Sequence, residues 1–160
     1  MKQNIHGFTL IELMIVIAII SILSTMALPS YQDRIIRAQV QEAFALSAMA
    51  RDNIEAYYKA RHTLPVNNKE AGLPAPAKII GNYVTSLSVD NGAIELSLGN
   101  RVNRHALGKK ITIRPAVVKD EPLVPIAWVY AYASVPTGMT VIGENRTDVM
   151  PRHLPVNCRY

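Results

Sequence analysis

Gly7-Phe8-Thr9-Leu10-Ile11-Glu12 opens an apolar run that continues to Leu28, and the reading of this stretch decides the fold. Of the 21 residues from Phe8 to Leu28, only Thr9, Glu12, Ser21, Ser24 and Thr25 are not apolar. At about 1.5 Å per residue, a helix of that length spans about 30 Å, the thickness of a bilayer's hydrocarbon core. Glu12 is the one ionisable side chain in the run. It lies about 6 Å along the axis from Phe8. A carboxylate at that depth is costly unless a positive group meets it, so it marks a functional position.

Working outward, residues 1–28 admit three readings. A secretory signal peptide has a basic start, a shorter apolar core and a small-residue cleavage site beyond it. Here Lys2 and the amino terminus are the only basic groups before a longer run, and Pro29-Ser30 follows with no small-x-small site. A permanent single-span anchor fits the length but gives Glu12 no purpose.

The third reading takes the motif itself. Gly7-Phe8-Thr9-Leu10-Ile11-Glu12-Leu13 resembles the processing motif of type IV prepilins, and the short leader with Phe after the cleavage point resembles the type IVa branch. The resemblance implies cleavage between Gly7 and Phe8 on the cytoplasmic side by a prepilin peptidase and methyltransferase, and N-methylation of Phe8. Residues 1–7 are then a leader that is removed, and the apolar run stays in the mature chain. Cleavage creates a cation on Phe8, which can pair with Glu12 of a neighbouring helix. In a low dielectric an unmatched charge costs several kcal/mol, so such a pair fixes axial register more than it adds stability. The basic amino-terminal side is expected to face the cytoplasm. Ala18, Ser21 and Thr25 form a strip of small residues that could admit a neighbouring helix, or are scattered tolerated residues.

Residues 8–29 are read as the membrane-spanning, filament-core half of one long helix, with a kink at Pro29, which lacks an N–H and crowds the preceding turn. Residues 30–160 are read as a globular domain. Its helix half covers 30–61, where Ile36, Val40, Ala43, Ser47, Ala50, Ile54 and Tyr58 share a face. Arg34, Arg37, Gln41, Asp52, Glu55 and Lys59 lie opposite, on a face read as solvated. Residues 62–81 are expected to connect this helix to a sheet at 82–134. Alternation over Tyr83–Val89 and Ile94–Leu98, around the turn Asp90-Asn91-Gly92, predicts a hairpin. Two further strands are expected at Lys110–Pro115 and Ile126–Ala133, the latter carrying Trp128, Tyr130 and Tyr132 at period two. The fold class is therefore α+β: a long N-terminal helix on an antiparallel sheet of about four strands, with a C-terminal loop over 135–160.

Tyr83-Val84, Val89-Asp90-Asn91-Gly92, Ile111-Thr112-Ile113-Arg114-Pro115, Ile126-Ala127-Trp128 and Leu154-Pro155-Val156-Asn157-Cys158 are similar, in order and spacing, to the sheet and C-terminal loop of major type IVa pilins. There is one departure. The family pattern places a cysteine two residues after the Trp, paired with one near the C-terminus; here that position is Tyr130, and Cys158 is the single cysteine. No disulfide can form within the chain, and Cys158 is expected to be a buried thiol. The terminal loop is then expected to be held by packing of Val135, Met139, Val141, Ile142, Met150 and Leu154.

The 160 residues carry 17 Lys and Arg against 12 Asp and Glu. Arg101, Arg104, Lys109, Lys110, Arg114 and Lys119 fall in a segment, 96–119, with no acid. It is read as a solvated face, or as a site for DNA or an anionic surface. There is no Gly-rich phosphate loop, no Ser/His/Asp signature and no metal-ligand spacing, and His62, His105 and His153 are far apart and expected at the surface. No cofactor, metal or enzymatic activity is expected. Asn145-Arg146-Thr147 is a sequon, a weak match. The expected role is structural: a pilin inserted in the inner membrane, then polymerised with other copies by the pilus assembly machinery into an extracellular fibre for adhesion, twitching motility and DNA uptake. The alternatives are a minor pilin, including a DNA-binding one, and a type II secretion pseudopilin.

Overall fold

The computed structural model describes residues 7–119 and 121–160, with the side chains of 27–30 outside the description. The chain divides into two compact units, one ending at Arg34 and the other spanning Ile35–Tyr160. Each is described by itself.

The expected long helix is present as α1, Leu10–Leu46, and α2, Ala48–Arg61. In the first unit α1 is apolar on every side, and the described side chains of 8–26 are all exposed. This helix is long and apolar enough to cross a membrane. The hydroxyls it carries fold back onto its own carbonyls: Ser21 Oγ to Ile17 O at 2.6 Å, Ser24 Oγ to Ile20 O at 2.7 Å and Thr25 Oγ1 to Ile22 O at 2.7 Å. Each polar group is thereby satisfied without water, as hydrocarbon requires. The kink expected at Pro29 lies outside the described side chains.

In the second unit the helical face anticipated from spacing is the buried one: Ile36, Val40, Ala43, Ser47, Ala50, Ile54 and Tyr58 are all in the core. The helix hitches at Ser47, whose N–H is shared between Ala43 O (3.3 Å) and Phe44 O (3.2 Å) while its Oγ donates back to Phe44 O at 2.7 Å. That local competition tightens one turn and separates α1 from α2. α2 ends where His62 takes a left-handed conformation (φ 56) and donates its N–H to Tyr58 O.

The sheet has five antiparallel strands: β1 Val84–Asp90, β2 Ala93–Leu98, β3 Lys110–Val117, β4 Ala127–Tyr130 and β5 Thr140–Val141. β1, β2, β3 and β4 pair in that order, and β5 pairs with β3. Asn91 (φ 51) and Gly92 (φ 82) are both left-handed, the two-residue turn that matches strand twist. At Gly92 a Cβ would also stand 2.9 Å from Leu64 Cδ1, so glycine is required there twice over.

β3 is the organising strand, with Ile111 and Ile113 fully buried. Ile113 lies between Ile94 of β2 and Tyr130 of β4. Beyond β2, the same side of β3 is taken over by β5, paired through Ala116↔Val141. Pro115 sits at this handover, where its carbonyl accepts from Ile142 N at 2.8 Å and no N–H is called for.

Three expectations change. Residues 62–81 are more than a connector: Asn68 is buried, its Nδ2 donates to Leu87 O (2.9 Å) and Pro74 O (3.0 Å), and its Oδ1 accepts from Val89 N (2.7 Å). One amide side chain thus caps the open edge of β1. The fourth strand ends at Tyr130 instead of Ala133, because Ala131 turns left-handed (φ 50). Glu55, assigned to the solvated face, accepts from Trp128 Nε1 at 2.8 Å, and so ties helix to sheet.

Candidate assembly site and the C-terminal lobe

Gly7, Phe8 and Thr9 precede the helix, and Phe8 is exposed. Thr9 and Glu12 close a reciprocal cap: Glu12 N donates to Thr9 Oγ1 (3.3 Å), and Glu12 Oε2 accepts from Thr9 N (2.8 Å) and Thr9 Oγ1 (2.6 Å). This is the capping box that Thr-x-x-Glu encodes, and it fixes the helix start two residues beyond the Gly7–Phe8 bond. The sequence reading gave Glu12 to a neighbouring chain alone. Its spacing from Thr9 was the signal for a second, internal role. The carboxylate is hydrogen-bonded within its own chain, with lone-pair capacity left for a further donor.

The six basic residues of 101–119 do not form one patch. Lys109 Nζ pairs with Asp148 at 3.4 Å and Lys110 Nζ with Glu95 at 2.8 Å. Arg114 turns toward Ala131 O (3.4 Å), and its half-burial lowers its pKa by desolvation. Arg101 and Arg104 are exposed on the 99–109 loop, Lys119 is exposed beyond β3, and neither arginine has an ion pair among the described residues.

The C-terminal loop is held mainly by hydrogen bonds and by Val149, Leu154 and Cys158, all buried. Val135 and Met150, expected in that packing, are exposed. Asp148 N donates to Lys110 O, and Asp148 Oδ1 accepts from Lys110 N. Thr112 N donates to Thr147 Oγ1 at 3.0 Å and Tyr132 Oη to Thr147 O at 2.9 Å. These bonds cover Thr112, which is buried. Asn145 of the sequon spends its amide on Ala131 O at 2.8 Å. His153, in the turn Pro151–His153, is buried and not at the surface; His62 and His105 are exposed. Asp148→Ala is expected to cost about 1–2 kcal/mol, since it strips Lys110 N of its acceptor. Urea unfolding followed by Trp128 fluorescence measures this.

Tyr132 N to Cys158 O (3.1 Å) and Ser134 N to Tyr160 O (2.8 Å) bind the chain end to the residues just after β4. Tyr130 fills the place where the family pattern has a half-cystine: its ring meets Phe44 edge-on at 4.9 Å and lies 5.8 Å from the Arg51 guanidinium carbon. Burial raises the pKa of both the Tyr130 phenol and the Cys158 thiol, so both stay protonated near neutrality. Tyr130→Cys is expected to oxidise onto Cys158. The oxidised form should exceed the reduced form of the same variant in stability by about 3–4 kcal/mol, as read from unfolding midpoints with and without reductant.

Comparison with known proteins agrees with this architecture. The prokaryotic N-terminal methylation motif matches residues 2–28, and the pilin family of bacterial filaments matches residues 36–159. A fimbrial protein of Neisseria meningitidis serogroup B is 37% identical over 158 residues, covering 96% of this chain and 93% of its own. A type IV major pilin protein PilE1 of Neisseria gonorrhoeae is 37% identical over 159 residues, covering 96% and 86%. The fimbrial protein EcpC of Eikenella corrodens is 39% identical over 117 residues, covering 71% and 76%. A methylation motif on a capped apolar helix, followed by a helix-on-sheet domain matched almost end to end, leads to one conclusion: the chain belongs to the pilin family of bacterial filament proteins.

Proposed function

We propose that this chain is the major structural subunit of a type IV pilus. The observation that carries the reading is that an acid-bearing, capped apolar helix just after Gly7-Phe8 is followed along the chain by a domain that the pilin family matches over residues 36–159. Relatives named type IV major pilin protein PilE1 cover 96% of this chain, which favours the major subunit over a minor pilin or a pseudopilin. In this reading the prepilin waits in the inner membrane with its N-terminus in the cytoplasm, and the leader 1–7 is removed by a prepilin peptidase that also methylates Phe8. The residues from Phe8 to Pro29 then leave the bilayer for the core of an extracellular homopolymer, where the Phe8 ammonium of one copy meets Glu12 of another. The assembly machinery would supply the work of extraction; adhesion and motility would be properties of the fibre.

Electron cryo-microscopy of sheared filaments, with mass spectrometry of their N-termini, tests this. The expected result is a filament built of this chain beginning at N-methylated Phe8. Filaments in which it is absent or confined to tips would overturn the major-subunit role. A mature terminus elsewhere would overturn the processing.

A further inference from the structure

A cavity of about 370 Å³ opens between α1, the start of α2, the end of β4 and the C-terminal turn. Gln41, Phe44, Arg51, Tyr130, Asn157 and Cys158 line it. Its size is that of a small-molecule pocket, and it joins an apolar wall to a few convergent polar groups. Arg51 is the decisive one. Among the described residues it has no ion pair, and its buried Nε has no hydrogen-bond partner. Its contact with the Tyr130 ring satisfies the face of the guanidinium but none of its in-plane N–H donors. A buried donor without an acceptor is a standing cost that a ligand oxygen would remove.

The rest of the wall specifies what the oxygen should be attached to. Phe44 and Tyr130 meet edge to face and give an aromatic side to the cavity. Asn157 Oδ1 is turned toward the Cys158 thiol at 3.6 Å. Tyr130, whose hydroxyl burial keeps protonated, adds a donor to the lining. A planar carboxylate matches the planar donor fork of an arginine, and an aromatic body matches the Phe44–Tyr130 wall. Tyr130, one wall of the cavity, stands where the family pattern has a cysteine.

We propose that this cavity is a binding site for a small aromatic carboxylate, with Arg51 holding the carboxylate and the Phe44–Tyr130 pair packing against one side of the ring. The test is a titration of the detergent-solubilised full chain with benzoate, acetate and inorganic phosphate, read from the arginine Nε–H and tyrosine ring signals by NMR. Benzoate is expected to move the Arg51 Nε–H and Tyr130 signals saturably, acetate more weakly, and phosphate not at all. Arg51→Gln should weaken benzoate binding, followed at Tyr130, by about tenfold, as loss of a charge-assisted pair implies. Arg51→Lys keeps the charge but loses the planar fork, and should weaken it several-fold. Arg101→Gln on the exposed loop should leave it unchanged. The proposal is overturned if benzoate produces no saturable shift, if every arginine responds alike, or if the folded Arg51 variants bind as wild type does. It is equally overturned if the Arg51 signal moves only on filament assembly and not with benzoate, since the occupant is then an acidic side chain of a second copy.

Discussion

Chains carrying Glu12→Gln are expected to yield at least about tenfold fewer filaments than wild type, because in the proposed filament a register that leaves the Phe8 ammonium unmatched in a low dielectric costs several kcal/mol. The capping box makes the choice of substitution informative. Glutamine preserves the reciprocal bonds to Thr9 while removing the charge, whereas Thr9→Val removes the hydroxyl cap while keeping the charge. If charge sets the register, Glu12→Gln and Glu12→Ala should fail alike, and Thr9→Val should still assemble at a cost of about 1 kcal/mol in helix stability. Filament yield from sheared cells, normalised to processed subunit in the membrane, is the measurement. Efficient assembly by Glu12→Gln would sink the register argument and leave Glu12 as a helix cap.

Ile113→Ala is the second large effect. The side chain is fully buried in β3 between Ile94 and Tyr130, so its loss opens a cavity in the strand that both β2 and β4 pair with. A cost of about 3–4 kcal/mol is expected, against a total of about 5–15 kcal/mol for a domain of this size. Ile80→Ala, at a side chain 58% exposed, should change stability by less than about 0.5 kcal/mol. Urea unfolding followed by Trp128 fluorescence compares the two, and near-equal midpoints would contradict this account of the core.

The sequence carried the architecture because its strongest signals are periodic. The helix face from Ile36 to Tyr58 and the strand alternation around Asp90-Asn91-Gly92 are set by local geometry, and both lie in the structure where spacing placed them. The methylation motif was legible for a different reason: Gly7-Phe8-Thr9-Leu10-Ile11-Glu12-Leu13 resembles a short, specific family pattern, and the family match covers residues 2–28. What stayed hidden depends on residues far apart in the chain. Nothing in the pattern around Asn68 shows that its amide will cap β1, and nothing around Asp148 shows that it will pair with Lys110. The basic segment misled because composition counted cations while the acids that answer Lys109 and Lys110 come from other elements. The Thr9–Glu12 cap, by contrast, was local and could have been read.

The edges of β3 bear on the order in which the molecule can be completed. The main-chain N–H of Lys110 finds its partner at Asp148 and that of Thr112 at Thr147, and Ala116 and Val117 pair with Val141 and Thr140. These partners are 35 and 38 residues away at one end of the strand and lie within the last 21 residues of the chain. Until that segment has emerged, the central strand exposes unpaired edges suited to adding a foreign strand. A prematurely ended chain would therefore present a sticky, protease-sensitive sheet instead of a nearly finished domain.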